Sequence, residues 1–335
     1  MVYKNYFFSY IRNFLLFSFL FCTTIFSYKS ALKTGYSQVI VFGKDHPKKI
    51  IISMVPVSFV ILLLLLRELP HKQSRCINLS SITSIAAPKN QKIIIFFHGI
   101  GANLYRAEDA INQNKTLEKD LLRKYEIISL AFHETMVNKA FRTSFGQQAD
   151  IDQVLSFLET FQYLKNKNPK DITFIAHSRS GQTLLNCVDY ALSKEHDNEN
   201  IKNILTNSKK IYVAPLLCLR TTIKDVIKKW YVPNVVAHFL SNVVCRFCLP
   251  FVTKGLYNPS FLPAIERMQH WTEDHFQNSK FFLAQHDELV GHGKTPELID
   301  FLYENKKSNL IEFVEHSTHD SDNLLQAAFR EALKE

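Results

Sequence analysis

The sequence predicts an α/β fold: a mostly parallel sheet covered by helices on both faces, with a helical cap insertion and a preceding N-terminal membrane segment. Two observations carry the α/β assignment. From Lys92 onward, short and nearly continuous apolar runs alternate with stretches of helical spacing, the pattern of strands buried on both faces. Asp171–Leu185 (DITFIAHSRSGQTLL) then reads as a buried strand, a tight serine-bearing turn and a helix. The membrane segment rests on a third observation, two apolar stretches with basic flanks within residues 1–67.

In chain order, Asn13–Tyr28 (NFLLFSFLFCTTIFSY) is uncharged and Phe-rich, and Ile50–Leu66 (IIISMVPVSFVILLLLL) is more strongly apolar. A spanning helix needs roughly 17 to 25 apolar residues. The second stretch reaches that length, and the first does so by borrowing Tyr6–Ile11 across Arg12. Residues 1–67 therefore read as a membrane anchor of one or two helices. A signal-peptide core is the alternative for the first stretch, but no small-x-small cleavage site follows it. Orientation stays open. The loop Lys29–Lys49 carries five lysines and one aspartate, whereas Arg67, Lys72 and Arg75 argue for the opposite side.

Residues 68–90 are polar and Ser-rich and read as a linker with room for one short strand near Cys76–Leu79. The main domain spans 91–335. Strands are expected at Lys92–Phe97, Glu126–Phe132, Ile172–Ala176, Lys210–Leu217, Lys280–Ala284 and Leu310–Val314. Helices are expected at Arg106–Lys124, Gln148–Lys165, from about Gln182, at Thr295–Asn305 and at Asp320–Leu333. In Gln148–Lys165 the residues Ile151, Val154, Leu155, Leu158 and Phe161 share one face. Residues 218–279 break the rhythm. Connections in such folds are about 2 to 6 residues long, so this aromatic, apolar interval of about 60 residues reads as a helical cap or lid.

Charge narrows the function classes. Residues 1–90 hold 11 Lys+Arg against 2 Asp+Glu, and the remainder balances at 29 against 29, so the net +9 lies entirely in the N-terminal segment. A basic flank beside apolar stretches points to a membrane, and the main domain shows no footprint for nucleic acid. Six scattered cysteines do not make a disulfide scaffold. Cys245 and Cys248 form C-x-x-C without a second ligand pair and are expected to pack within a helix, as Cys187 is after the turn.

The turn at Ser178 carries the chemistry. A nucleophile elbow is too sharp for bulky residues two positions either side of its serine, and here those positions are Ala176 and Ser180, giving A-x-S-x-S. A plain strand–loop–helix with a serine-rich turn is the alternative. A serine needs a base to take its proton, and the base needs a third group to orient it. Asp287 follows the Lys280–Ala284 strand, with Glu288 the weaker acid. His319 lies just past the last strand and before the final helix, with His316 the alternative base.

The turn resembles the α/β-hydrolase superfamily, whose elbow commonly reads G-H-S-x-G-G; both glycines at the small positions are replaced here. The resemblance covers roughly residues 91–335. It implies a Ser178–Asp287–His319 triad in the family's order, with His177 packed under the elbow. His98-Gly99-Ile100-Gly101 resembles the family's H-G-x-G loop, which implies an oxyanion hole made by the backbone N–H groups of Ile100 and Arg179. The Arg179 side chain would meet an anionic substrate group or pair with an acid in the cap. The implied protein is a membrane-anchored serine hydrolase cleaving a carboxylic ester, with a lipid or acyl ester as substrate and no cofactor or metal. Thioester and peptide cleavage use the same triad. The rival from another class is a non-catalytic hydrolase-fold interaction module tethered to a membrane.

Overall fold

The computed structural model describes residues 92–99, 106–130, 144–160, 164, 166–193, 198–228, 233–253, 256–287 and 295–334. The expected anchor, the linker, the Cys76–Leu79 strand, Ile100, Gly101 and Glu288 lie outside the described residues.

Six strands form one wholly parallel sheet in the order β2-β1-β3-β4-β5-β6. They are β1 (Lys92–Phe97), β2 (Tyr125–Leu130), β3 (Ile172–His177), β4 (Lys209–Val213), β5 (Ser279–His286) and β6 (Ile311–Thr318). Successive side chains leave a strand on opposite faces, so each apolar run feeds two cores. Ile93, Ile95 and Phe97 of β1 join Phe174 of β3, Tyr212 of β4 and Phe281 of β5 on one face. Ile94, Phe96, Ile175, Ile211 and Phe282 face the other way. The absence of polar alternation in these strands is the direct consequence.

The second face is covered by α1 (Arg106–Asn112), α2 (Lys115–Lys124) and the C-terminal helix Asp322–Leu333. The expected single helix Arg106–Lys124 is thus two. Asn114 breaks it by taking an extended backbone and accepting the Leu117 N–H on its side chain, a helix N-cap. The first face is covered by α3 (Gln148–Thr160), α4 (Arg179–Leu192), α5 (Glu199–Asn207), a 3-10 stretch Ala264–His270 and the helix Thr295–Glu304. Helix α5 is an element the apolar pattern does not announce. It is started by Asn198, whose side chain accepts from Asn200 and Ile201. It is ended by the buried Lys210 ammonium, which donates to the carbonyls of Leu205, Thr206 and Ser208 at 3.1, 2.8 and 2.9 Å. Strand β4 stops at Val213 rather than Leu217, because Ala214 turns to φ 40° and Pro215 follows.

Among the described residues of 218–279 the helices fall into two parts, separated by an irregular stretch at 256–263, and Ser279 already belongs to β5. The first part comprises α6 (Leu219–Lys228), α7 (Asn234–Val243) and α8 (Leu249–Val252), the last two joined by one π turn at Val244–Cys248. The second part, from Ala264 to the short helix α9 (Glu273–Phe276), packs on α4, with Ala264, Ile265 and Phe276 in the first core. Cys245 and Cys248 are buried free thiols of the π turn, and burial raises both thiol pKa values. Helices α10 (Thr295–Glu304) and α11 (Asp322–Leu333) complete the chain.

Phe329 of α11 is fully buried and stacks on Phe96 with ring centroids 5.8 Å apart. Truncating such an aromatic removes its contacts and leaves a void. Phe329→Ala is expected to lower the unfolding free energy by about 3–5 kcal/mol in urea titration; a loss under ~1 kcal/mol would contradict this packing.

Candidate active site

The strand order reverses beside β1: β2 lies on one side of it and β3 on the other. In open parallel sheets the crevice at the carboxyl ends of the strands, where the order reverses, is where ligands are held. His98 and Gly99 leave β1 there, Ser178 leaves β3, Asp287 leaves β5 and His319 leaves β6.

Ser178 joins β3 to α4 with φ 58° and ψ −122°, a conformation that non-glycine residues adopt only when their surroundings impose it. Here they do so from several sides. The Ser178 N–H donates to the Val213 carbonyl (2.9 Å), and its own carbonyl accepts from Gly181 (2.9 Å) and Leu216 (2.8 Å). The Ser180 hydroxyl donates to the His98 carbonyl, tying the elbow to the end of β1. That bond gives a reason for serine where the family pattern has glycine. Gly181 is required by close approach: a Cβ there would lie 2.4 Å from the Pro215 Cβ. A Cβ on Gly99 would meet the Ser178 Cβ at 3.0 Å and His177 Nδ1 at 3.1 Å, so glycine lets the β1 loop lie against Ser178 without displacing these neighbours. Helix α4 begins at Arg179, three residues earlier than expected, because the turn consists of Ser178 alone.

The Ser178 hydroxyl makes no helix cap. It faces His319 Nε2 at 2.8 Å, and His319 Nδ1 lies 3.0 Å from Asp287 Oδ2. All three residues are buried. Asp287 as acceptor fixes the proton on Nδ1 and leaves the Nε2 lone pair for the serine proton. Of the two candidate bases, the structure brings His319 to the serine. His316 is exposed on β6, with its backbone N–H donating to Gln285 Oε1.

Two further histidines support the elbow. His177 Nε2 donates to the His319 carbonyl at 3.0 Å, fixing the loop that carries His319. His98 packs edge-on against Phe96, and among the described residues neither of its ring nitrogens has a hydrogen-bond partner. Burial is the main cause that pushes the His98 pKa down to about 3 and the His177 pKa to about 4. Both rings are neutral at pH 7.

Arg179 is fully buried, and the acid it is seen to pair with lies outside the 218–279 interval. Its Nη1 donates to Asp150 Oδ2 at 3.0 Å, at the start of α3. Asp150 also accepts the Gly146 N–H at 2.7 Å. The carboxylate thereby pins α4, the helix that follows Ser178, to the turn that starts α3. Sequence spacing carries no sign of this pair, since 29 residues separate the two. Asn186 of α4 extends the framework, donating to the Gly146 carbonyl (2.7 Å) and accepting from Ala264 (2.6 Å).

His177, His319 and Asp320 each offer one ligand atom within 4.8 Å of the others, a grouping able to hold a metal ion. A cation there would compete with the bonds His319 makes to Ser178 and Asp287.

A parallel sheet covered on both faces, with a serine elbow at the switch point, is the α/β-hydrolase fold. No protein-family model matches the chain, and no curated protein matches it. Solved structures do. The chain is similar to a lipase-esterase related protein from Clostridium acetobutylicum, at 19% identity over 74% of this chain and 94% of that one, with a TM-score of 0.42. It is similar to a fluorophosphonate-binding serine hydrolase of Staphylococcus aureus, at 13% identity over 77% and 88% of the two chains (TM-score 0.40). A capsule O-acetyltransferase of Neisseria meningitidis serogroup A is also similar, at 13% identity over 73% and 88% (TM-score 0.40).

The histidine burial has a thermodynamic consequence. Unfolding returns His98 and His177 to the ordinary value of 6.5, so below that pH the unfolded chain binds protons that the folded chain refuses. Stability is then lost as pH falls from 6.5 toward 4. Between pH 6.5 and 5, above the carboxylate range, the loss is expected to be about 1–2 kcal/mol per histidine. Urea midpoints that fall over this interval, and fall less in His98→Leu, are the expected result; pH-independent midpoints would contradict it.

Proposed function

We propose that this chain is a membrane-anchored serine hydrolase that cleaves a carboxylic ester through an acyl-enzyme. The observation that carries the reading is the contact of Ser178 Oγ with His319 Nε2 at 2.8 Å, on a ring whose other nitrogen meets Asp287 at 3.0 Å. A hydroxyl, an imidazole and a carboxylate in that sequence make a weak nucleophile competent.

Ser178 Oγ attacks the ester carbonyl carbon as its proton passes to His319 Nε2, and the C–O π pair moves onto the oxygen. The resulting oxyanion is met by the backbone N–H groups of Ile100 and Arg179, the second at the positive end of α4. Collapse breaks the bond to the alcohol, which leaves with the proton from His319. Water, deprotonated by the same ring, attacks the acyl-enzyme and releases the acid and free Ser178. Asp287 orients the ring throughout and stabilises the imidazolium without itself taking the proton.

The apolar character of residues 218–279 and the N-terminal segment 1–67 support a lipid or acyl ester reached from a bilayer, under a cap formed by α6 to α8. Two apolar stretches of spanning length with basic flanks are the support for the anchor. Thioesters and peptides are resolved by the same steps and are separated from esters by a substrate panel.

Full-length protein in detergent is expected to label with a fluorophosphonate, and Ser178→Ala to abolish both labelling and ester turnover. On a panel of p-nitrophenyl esters the variant should lose on the order of 10⁶ in kcat. Folded wild type that neither labels nor turns over any ester would leave the interaction-module reading standing.

A further inference from the structure

The helix Asn234–Phe251 is amphipathic the wrong way round for a soluble domain. Its inward stripe is built of small side chains: Ala237, Ser241, Cys245 and Cys248 are buried. Five of its large apolar side chains point out, with Val235 82%, Val236 44%, Phe239 65%, Leu240 39% and Phe247 69% exposed, whereas Leu249 near its end is buried. Steps of four connect Val235 to Phe239 and Val236 to Leu240, and two further steps of four lead from Phe239 to Phe247, so the exposed residues form one stripe. A surface helix ordinarily turns such a stripe inward. The helix is long and apolar enough to cross a membrane by length and composition. It is nevertheless held down by its buried side, where α7 packs against α6.

The charge around this helix has a sign. Residues 219–254 contain Arg220, Lys224, Lys228, Lys229, Arg246 and Lys254 against a single acid, Asp225. Removing them from the balanced 29 and 29 of residues 91–335 leaves 23 basic and 28 acidic residues. Residues 219–254 thus carry a net +5 and the rest of residues 91–335 a net −5. Arg246 is exposed beside Phe247, and Lys224 and Lys228 are half-exposed on the neighbouring α6. The face thus presents exposed aromatic and aliphatic groups with Arg246, Lys224 and Lys228 beside them. It matches a fluid surface that is apolar within and anionic at its rim.

The placement gives such contact a direction. The segment leaving β4 touches the elbow, where the Leu216 N–H donates to the Ser178 carbonyl at 2.8 Å, and α6 begins at Leu219. The helical segment thus rises from the carboxyl edge of the sheet, where Ser178, Asp287 and His319 lie. We propose that the outward face of Asn234–Phe251 docks on an anionic lipid bilayer and holds that edge of the sheet against it. The docking does not depend on the hydrolase reading, and it is tested in the Ser178→Ala background so that failure of one is separate from failure of the other.

Full-length protein carrying Phe239→Trp or Phe247→Trp, with the native Trp230 and Trp271 replaced by Phe, is reconstituted into vesicles whose acyl chains are brominated, of phosphatidylcholine alone or with 30% phosphatidylglycerol. Phe313→Trp, at an exposed site on β6, serves as the control. In the anionic vesicles, emission from the two helix positions is expected to fall roughly twofold and shift to the blue, as for groups buried at the acyl boundary, while the control is unchanged. Combining Lys224→Glu, Lys228→Glu and Arg246→Glu should reverse the quenching. Quenching equal in neutral vesicles, absent from both helix positions, or shared by the control would overturn the proposal. So would cross-linking that shows the stripe covered by a second copy of the chain.

Discussion

The site depends on one strained backbone position. Ser178 at φ 58° is held where a serine does not rest unaided, and its neighbours supply the restraint. Val213, Gly181 and Leu216 hold its amide and carbonyl. Ser180 anchors the first turn of α4 to the end of β1, and Gly181 lets Pro215 lie against the helix. These contacts come from β1, from β4 and from the helix itself. The elbow is therefore a product of the parallel sheet: only adjacent parallel strands ending at one edge bring His98, Val213 and Ser178 together.

The same constraint organises the buried polar groups. A hydroxyl turned away from its helix cap is free to meet His319, and His319 is held by Asp287 on one side and through its carbonyl by His177 on the other. Behind the nucleophile, Arg179 and Asp150 form an ion pair with both side chains buried. Separating such a pair leaves an uncompensated buried charge, so it locks α4 to α3. Neutral His98 and His177 fill the remaining space without adding charge next to the His319 imidazole.

Much of this was legible from the chain. Strands buried on both faces are nearly pure apolar runs, so β1, β3 and the body of β4 stand out. The serine, acid and base appear in order at strand ends, which chain order can indicate. Their meeting in space needed the structure, whereas the preference for His319 over His316 already followed from its place past the last strand. Three features left weaker signals. Asn114 splits one amphipathic stretch by capping a second helix, although the spacing runs through it. Gly181 does the work expected of the glycine one position earlier, since the tight contact is with Pro215. The Arg179–Asp150 pair leaves no local pattern, because it joins the starts of two separate helices. Periodicity likewise registers that residues 234–251 are apolar but not that their large side chains face outward.

The central claim is that Asp287 makes Ser178 reactive through His319. It is tested most directly by the rate of Ser178 modification by a fluorophosphonate in wild type and in Asp287→Asn, both shown to be folded. Losing the carboxylate that fixes the ring tautomer is expected to slow modification on the order of 10⁴-fold, the size of loss seen when a triad acid is replaced by its amide. An unchanged rate would show that the 3.0 Å contact between His319 and Asp287 has no part in activating the serine.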